Sequence, residues 1–361
     1  MRGRVSDKDA DVIAPTLARP ARRWLVAVGL LTCGAFGAAI ALAPSGSADP
    51  ARGFAWLLFV GSSVHVASTG WLYTVPEVRG YVREHRARFV WVPIALVVGA
   101  AGAATVIPER TFVWILLPYF AWQFFHFQKQ NLGMAALAGS AYGVTPLRSA
   151  ERRALVVSGL AGIAGLIAHP DLLQISVDTR VPALFPASAA VFAGAAVFGV
   201  VQLVRRPAAQ RPRGFSAVFL VSLLFSLPVF LFASPYAAVG GMTITHGGQY
   251  LLLIGLLASA GTRGPPRWLR LTVLCNIALI GGLALSVASH LHGAAPAGRV
   301  IYGAYLGAVM AHFVIDAGIW RLRDAFPHRF ISTRLPFLVP ARPEPDAAPE
   351  VSSPELDLAI G

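Results

Sequence analysis

Ten long apolar runs follow one another along this chain, and its charges sit between them. The runs are 24–43, 53–75, 89–107, 111–131, 154–168, 183–203, 214–233, 236–259, 268–289 and 299–319. A helix needs about 20 mostly apolar residues to cross a bilayer. Backbone facing lipid finds no water to bond, so runs of that length must be helical. Composition agrees: 13% of the residues are charged, against about 25% in soluble proteins. The sequence therefore predicts an all-α fold, a polytopic transmembrane helical bundle of about ten spans. A basic segment precedes the bundle at 1–23, the bundle fills 24–339, and a tail occupies 340–361. That tail is rich in Pro, Ala, Glu, Asp and Ser. It lacks the apolar surface to offset ordering entropy and is expected to be disordered. The fifth run is the shortest. Asn131 with Gly133 is expected to stop the fourth helix, leaving 134–142 along the interface.

The connections orient the bundle. Arg2, Arg4, Lys8, Arg19, Arg22 and Arg23 precede the first run. The second loop carries Arg79, Arg83, Arg86 and Arg88, the fourth Arg148, Arg152 and Arg153, and the sixth Arg205, Arg206, Arg211 and Arg213. The eighth carries Arg263 and Arg267, and the tail Arg321, Arg323, Arg329, Arg334 and Arg342. The loops between them carry Arg52, Arg110, Arg180 and Arg299 at most. Cytoplasmic loops hold the excess of arginine and lysine, so both termini are expected in the cytoplasm. The first run ends on Ala41-Leu42-Ala43, a loose match to a signal-peptide site, but it is longer than a typical signal core. Lysine is confined to Lys8 and Lys129, and Ala, Gly and Pro abound. That composition is expected of a GC-rich bacterial genome, and it places the chain in the inner (plasma) membrane.

The net charge of +13 does not imply nucleic acid, because the arginines lie in short loops without interleaved exposed aromatics. Membrane lipids and a lipophilic small molecule are the expected partners. Cys33 and Cys275 both fall within runs, where a small buried hydrophobe is the ordinary role. They form no CxxC, so a thiolate-bound zinc or iron–sulfur cluster is not expected. Walker A and dinucleotide-binding glycine patterns are absent. No sustained internal repeat supports an inverted-repeat transporter.

Four histidines lie inside runs: His65, His126, His246 and His312. Each is on an even-numbered run, so all four helices share a direction. They stand about 12, 15, 10 and 13 residues from the outer ends, or roughly 15 to 23 Å deep at the helical rise. Four imidazoles in one slab are placed to converge on a common site. Each also has a polar neighbour on its own face. His65 has Thr69, His126 has Lys129 and Gln130, His246 has Gln249 and Tyr250, and His312 has Asp316. A metal-bound histidine needs a partner for its second ring nitrogen. Thr69, Gln130, Gln249 and Tyr250 are therefore candidate supporting residues, and the four histidines candidate metal ligands. The ordinary role of a lone histidine in a membrane helix is a bond to a neighbouring helix.

Asp316 is the only carboxylate well inside a run, where a charge is costly and normally faces the bundle interior. It is a candidate ligand or catalytic group; an ion pair with Arg321 or Arg323, a bond to another helix or a cap competes with that reading. Lys129 is a candidate acid/base or anion-binding group, against snorkelling to the interface. A second cluster, His169, Asp171, His290 and His292, lies in outer loops and has the types for zinc or copper. Trp114, Tyr119, Phe120, Trp122, Phe124 and Phe125 crowd the fourth run. They suit lipid and helix packing, or a greasy passage to His126.

Membrane fatty-acid desaturases carry HxxxH and HxxHH boxes at helix ends, which this chain lacks. Progestin-receptor and ceramidase-like hydrolases pair an SxxxH helix with a terminal HxxxH, and His312-x-x-x-Asp316 does not match it. In ingredients alone the chain is similar to bacterial carotene-cleaving membrane dioxygenases, which hold iron with histidines on several spans. Their motif does not align here residue by residue, so no site is carried over. The residues predict a metal-dependent oxidoreductase or oxygenase acting on a lipophilic substrate, with iron first and copper or zinc next. The alternatives are a b-type haem electron carrier, a transporter or proton relay, and a scaffold without chemistry.

Overall fold

A computed structural model describes residues 17–43, 50–175, 177–179, 181–261, 264–292 and 295–342. All regular structure among the described residues is helical. The first run forms α1 (Arg19–Leu42). The second is helical from 52 to 74 in four pieces: α2 (Arg52–Phe59), a π turn (Val60–Val64), α3 (His65–Ser68) and a 3₁₀ turn (Thr69–Thr74). After the short α4 (Pro76–Glu84), a second π turn (Ala87–Trp91) runs into α5 (Val92–Val106). Then follow α6 (Glu109–Ala141), α7 (Ser149–Ala168), α8 (Leu184–Val204), α9 (Arg213–Leu223) and α10 (Leu227–Leu231). A third π turn (Tyr236–Gly240) opens α11 (Gly241–Ala260). The chain continues through α12 (Arg267–Ser289), α13 (Pro296–Ile319) and α14 (Ala325–Arg334).

Helix thus stands at each apolar run. Five helices are long and apolar enough to cross a membrane by length and composition: α1, the stretch Ala87–Val106, α8, α12 and α13. The rest fall short for visible reasons. The second and seventh runs are broken into short pieces, and α7 opens on Glu151, Arg152 and Arg153. The remaining two, α6 and α11, carry His126 and His246 with their polar neighbours. Of the five, α13 is the least apolar and has 50% of its most apolar window buried, against 11–22% for the others. It sits inside the bundle.

Small residues set the closest helix approaches. Gly303 and Gly307, four apart on α13, lie on the backbone of α5, where a Cβ would meet Ala100, Ala101 and Val97. This small-xxx-small pattern lets membrane helices pack closely. The largest core joins Trp24, Trp71, Phe215, Phe219 and Leu257 with Phe330, Leu335, Leu338 and Val339, so the buried chain extends through Val339.

Two expectations are corrected. The fourth helix does not stop at Asn131 and Gly133 but continues to Ala141. Burial of Met134, Ala135 and Ala138 outweighs the roughly 1 kcal/mol helix penalty of glycine. Cys33 and Cys275 are exposed on the helices' outer faces, not buried. Most of the basic segment 1–23, and the tail beyond 342, lie outside the described residues.

Candidate metal centre

The four histidines of the apolar runs come from four helices and meet. His65 opens α3 directly after a π turn. Such turns interrupt the regular ladder and recur at functional sites. Gly61 within that turn faces α11 so closely that a Cβ on Gly247 would fall on the Gly61 backbone, and one on Gly61 would lie 2.6 Å from the Ile244 Cα. Only glycine permits this approach, and it brings His65 and His246 together. His126 comes from α6, and His312 and Asp316 stand one turn apart on α13.

The rings close a four-membered circuit. Centroids of His65 and His246, His65 and His312, and His126 and His246 are 5.0 Å apart; those of His126 and His312 are 5.1 Å apart. Neighbouring planes cross at 73° to 88°. His65 is a full corner of the circuit, 5.0 Å from both His246 and His312. Phe127 stacks on His246 at 4.0 Å and Phe313 on His126 at 4.6 Å. His65, His246 and His312 are 1–3% exposed, and the His126 side chain is 10% exposed.

Polar satisfaction is incomplete at this circuit. Both nitrogens of His65 and of His246, and Nε2 of His126 and of His312, are buried without a hydrogen-bond partner. The carbonyls of Gly61 and Ser62 face the His65 ring, but neither nitrogen reaches bonding geometry. Buried polar atoms are normally paired, and each orphan costs roughly 1–3 kcal/mol.

Asp316 completes the group. Its Oδ2 is 3.6 Å from His312 Nε2 and 3.8 Å from His126 Nε2. These are too long for hydrogen bonds. Two donors on one ion at about 2.1 Å stand roughly 3.0–3.4 Å apart, so the spacing is near that of shared ligands. Donor atoms of His65, His246 and His312 lie within 4.8 Å of one another, as do those of His126, His312 and Asp316. The centre of a square with the observed side lies about 3.5 Å from each corner, close to the roughly 3.2 Å between a metal and the centroid of its imidazole ligand. Donor types, spacing and orphaned nitrogens all fit a metal ion.

A hydrogen-bonded arc borders the group. Tyr250 donates from its hydroxyl to Asp316 Oδ1 at 2.9 Å. Thr69 Oγ1 is 2.8 Å from that hydroxyl and 2.7 Å from His312 Nδ1. Thr69 therefore serves His312 across the bundle, where its place four residues after His65 pointed to its own helix. Gln130 donates to the His246 carbonyl at 2.9 Å and to Gln249 Oε1 at 3.1 Å; Gln249 donates to Thr32 Oγ1 at 3.0 Å. These amides tie α6, α11 and α1 together and bond no imidazole.

Other candidates lie elsewhere. Lys129 is exposed, with its ammonium 5.8 Å from the Phe125 ring. Arg321 and Arg323 pair with Asp324 rather than Asp316. His169, Asp171, His290 and His292 do not assemble into a cluster among the described residues. His169 packs on Phe185, His290 bonds the Ser286 carbonyl, and His292 packs on Tyr302. Sequence reasoning missed Phe127 and Phe313 as ring partners; each directly follows a candidate histidine, and that adjacency is the only local signal.

No protein-family model, curated protein or solved structure matches this chain.

Proposed function

We propose that this chain is a multi-pass membrane metalloprotein whose histidine cluster holds one ion, and that the ion serves oxidoreductase or oxygenase chemistry on a lipophilic substrate. The observation that carries the reading is the circuit of four crossed imidazoles with unpartnered buried nitrogens beside Asp316. One ion is favoured over two. His312 belongs to both donor groups, and Thr69 occupies its Nδ1, leaving Nε2 for a single metal.

Together the four imidazoles and the Asp316 carboxylate make a nitrogen-rich donor set that suits non-haem iron and leaves an octahedral ion one open position. Copper and zinc accept the same donors. When bound, iron in such a set supplies a place for dioxygen to bind and be activated. The protein's share is to fix the donors on four packed helices and to exclude water with Phe127 and Phe313. His126 is the most exposed corner, and Trp122, four residues before it on α6, is exposed and packs on Phe313 at 5.6 Å. This side suits approach of a lipophilic substrate from the bilayer. A b-type haem suits the site less. Its axial imidazoles need a porphyrin between them, and these rings pack edge to face at 5.0–5.1 Å.

The arginine alternation supports ten spans with both termini in the cytoplasm. Arg206 is an interior ion pair rather than a free loop charge, but Arg205, Arg211 and Arg213 keep the sixth loop basic. Reporter fusions after Arg83 and Arg211 should read cytoplasmic, and those near Ser47 and His292 external; two reversed signals would overturn this orientation.

Metal analysis of the gently purified full-length protein tests the central claim. Close to one iron, copper or zinc per chain is expected, lost in His246→Ala and His312→Ala. A protein that neither retains these ions nor takes them up when added would overturn it.

A further inference from the structure

The arc of hydroxyls beside the cluster fixes more than packing. Thr69, Tyr250, His312 and Asp316 are each no more than 3% exposed, so water does not compete for their bonds. Each hydroxyl has a single proton to give. The Tyr250 hydroxyl donates its proton to Asp316 Oδ1. The Thr69–Tyr250 bond must then use the Thr69 proton. Thr69 has none left for His312, so the third bond uses a proton on His312 Nδ1. That leaves the Nε2 lone pair directed at the cluster, on the atom that lacks any partner. At the other end of the arc, Oδ1 is occupied by Tyr250, and Oδ2 is the oxygen facing His126 and His312.

We propose that Thr69 and Tyr250 are positioning residues for the metal ligands: they lock His312 in its Nδ1–H form and restrain Asp316 to bind through Oδ2 alone. The proposal rests on the reading of the cluster as a metal centre and adds which atoms bind and what orients them. Its physical basis is that the bond at the non-ligating nitrogen sets a histidine's tautomer and orientation. A monodentate carboxylate also leaves more of the ion's coordination sphere open than a bidentate one.

The test uses the full-length protein in detergent micelles, with cobalt(II) as the probe. Affinity is measured by chelator competition and ligand geometry by the visible cobalt bands. Thr69→Ser keeps the hydroxyl and should bind as the wild type does. Thr69→Val and Tyr250→Phe should weaken binding about 10- to 100-fold and shift the bands. In metal-free wild type, ¹⁵N spectra of labelled histidines, with His312 assigned by its loss in His312→Gln, should show protonated Nδ1. The proposal is overturned if Thr69→Val binds cobalt with wild-type affinity and bands, or if His312 carries its proton on Nε2. The tautomer measurement needs neither metal nor a folded Thr69→Val variant. If the wild type binds no cobalt or iron but His312 is in the Nδ1–H form, the metal reading falls and the lock stands.

Discussion

Arg206 and Glu151 are as deeply buried as the histidine circuit, yet every polar atom of that pair has a partner. Arg206 Nε and Nη2 donate to the two Glu151 oxygens at 2.6 Å each. Nη1 donates to Thr145 Oγ1 and to its carbonyl, and Nη2 also to the Pro146 carbonyl. Glu151 further accepts the Arg148 backbone N–H at 2.7 Å, and the guanidinium lies over the Phe215 ring at 4.9 Å. The pair closes the α6–α7 turn against the end of α8. At the histidine circuit, ring nitrogens meet at coordination spacing and stay unbonded. A buried polar network completed by the protein alone is a structural fastening. One left incomplete at one spot costs stability there, and a ligand is the natural way to recover it.

The largest expected effect separates these two cases by sign. Glu151→Ala strands a buried guanidinium, and removing one partner of such a pair costs about 3–5 kcal/mol. The melting temperature in micelles should fall steeply, while metal bound per folded chain stays unchanged. Replacing both partners, as Glu151→Leu with Arg206→Met, should recover much of the loss. A small effect of Glu151→Ala, or loss of metal from the chains that remain folded, would dissolve the distinction between fastening and site.

His246→Leu is the matching test at the circuit. It removes two orphaned nitrogens, each costing roughly 1–3 kcal/mol, and keeps an apolar side chain in the gap. The metal-free protein should melt no lower than the wild type, and higher if shape is well matched. Metal binding should fall at least about 100-fold, since the other donors are left on an incomplete set. A large loss of metal-free stability would show that the His246 ring is needed for packing against Phe127 and not for a ligand.

Gly247→Ala probes how the site is assembled. The new Cβ would fall on the Gly61 backbone, so the π turn that leads into α3 must separate from α11. Overpacking of this kind costs about 1–3 kcal/mol, and metal affinity should fall with it because His65 and His246 are drawn apart. Wild-type affinity in this variant would mean the histidines tolerate a looser helix pair than their spacing implies.

The four-helix convergence was legible because helical rise and run boundaries predict a depth for each histidine, and the four predicted depths agree. Asp316 was legible because one turn separates it from His312. What escaped the sequence are bonds made across helices. Thr69 lies four residues after His65 and serves His312; Gln130 and Gln249, chosen as ring partners, bond each other. Helical periodicity says which residues share a face and nothing of what that face meets. The Arg206–Glu151 pair was hidden for the same reason, its partners standing 55 residues apart. Gly133 was misread because local propensity marks a stop, and only the burial of Met134, Ala135 and Ala138 shows why the helix continues.

The smallest expected effect concerns Lys129, a candidate for chemistry that the fold turns outward. It follows His126 by three residues, which on an ideal helix keeps it within reach of the same face. Its side chain nonetheless runs to the exposed side of α6, its ammonium 5.8 Å from the Phe125 ring. Phe125 is itself 36% exposed, so the pair lies on the bundle's outer surface, and an exposed cation–π contact contributes only about 0.5–1 kcal/mol. Lys129→Ala should therefore change stability by no more than that, and leave metal content and cobalt bands as in the wild type. Lys129→Gln should match it, separating lost charge from lost side-chain length. A change in the cobalt bands of either variant would place the ammonium near the ion in solution and return Lys129 to the site.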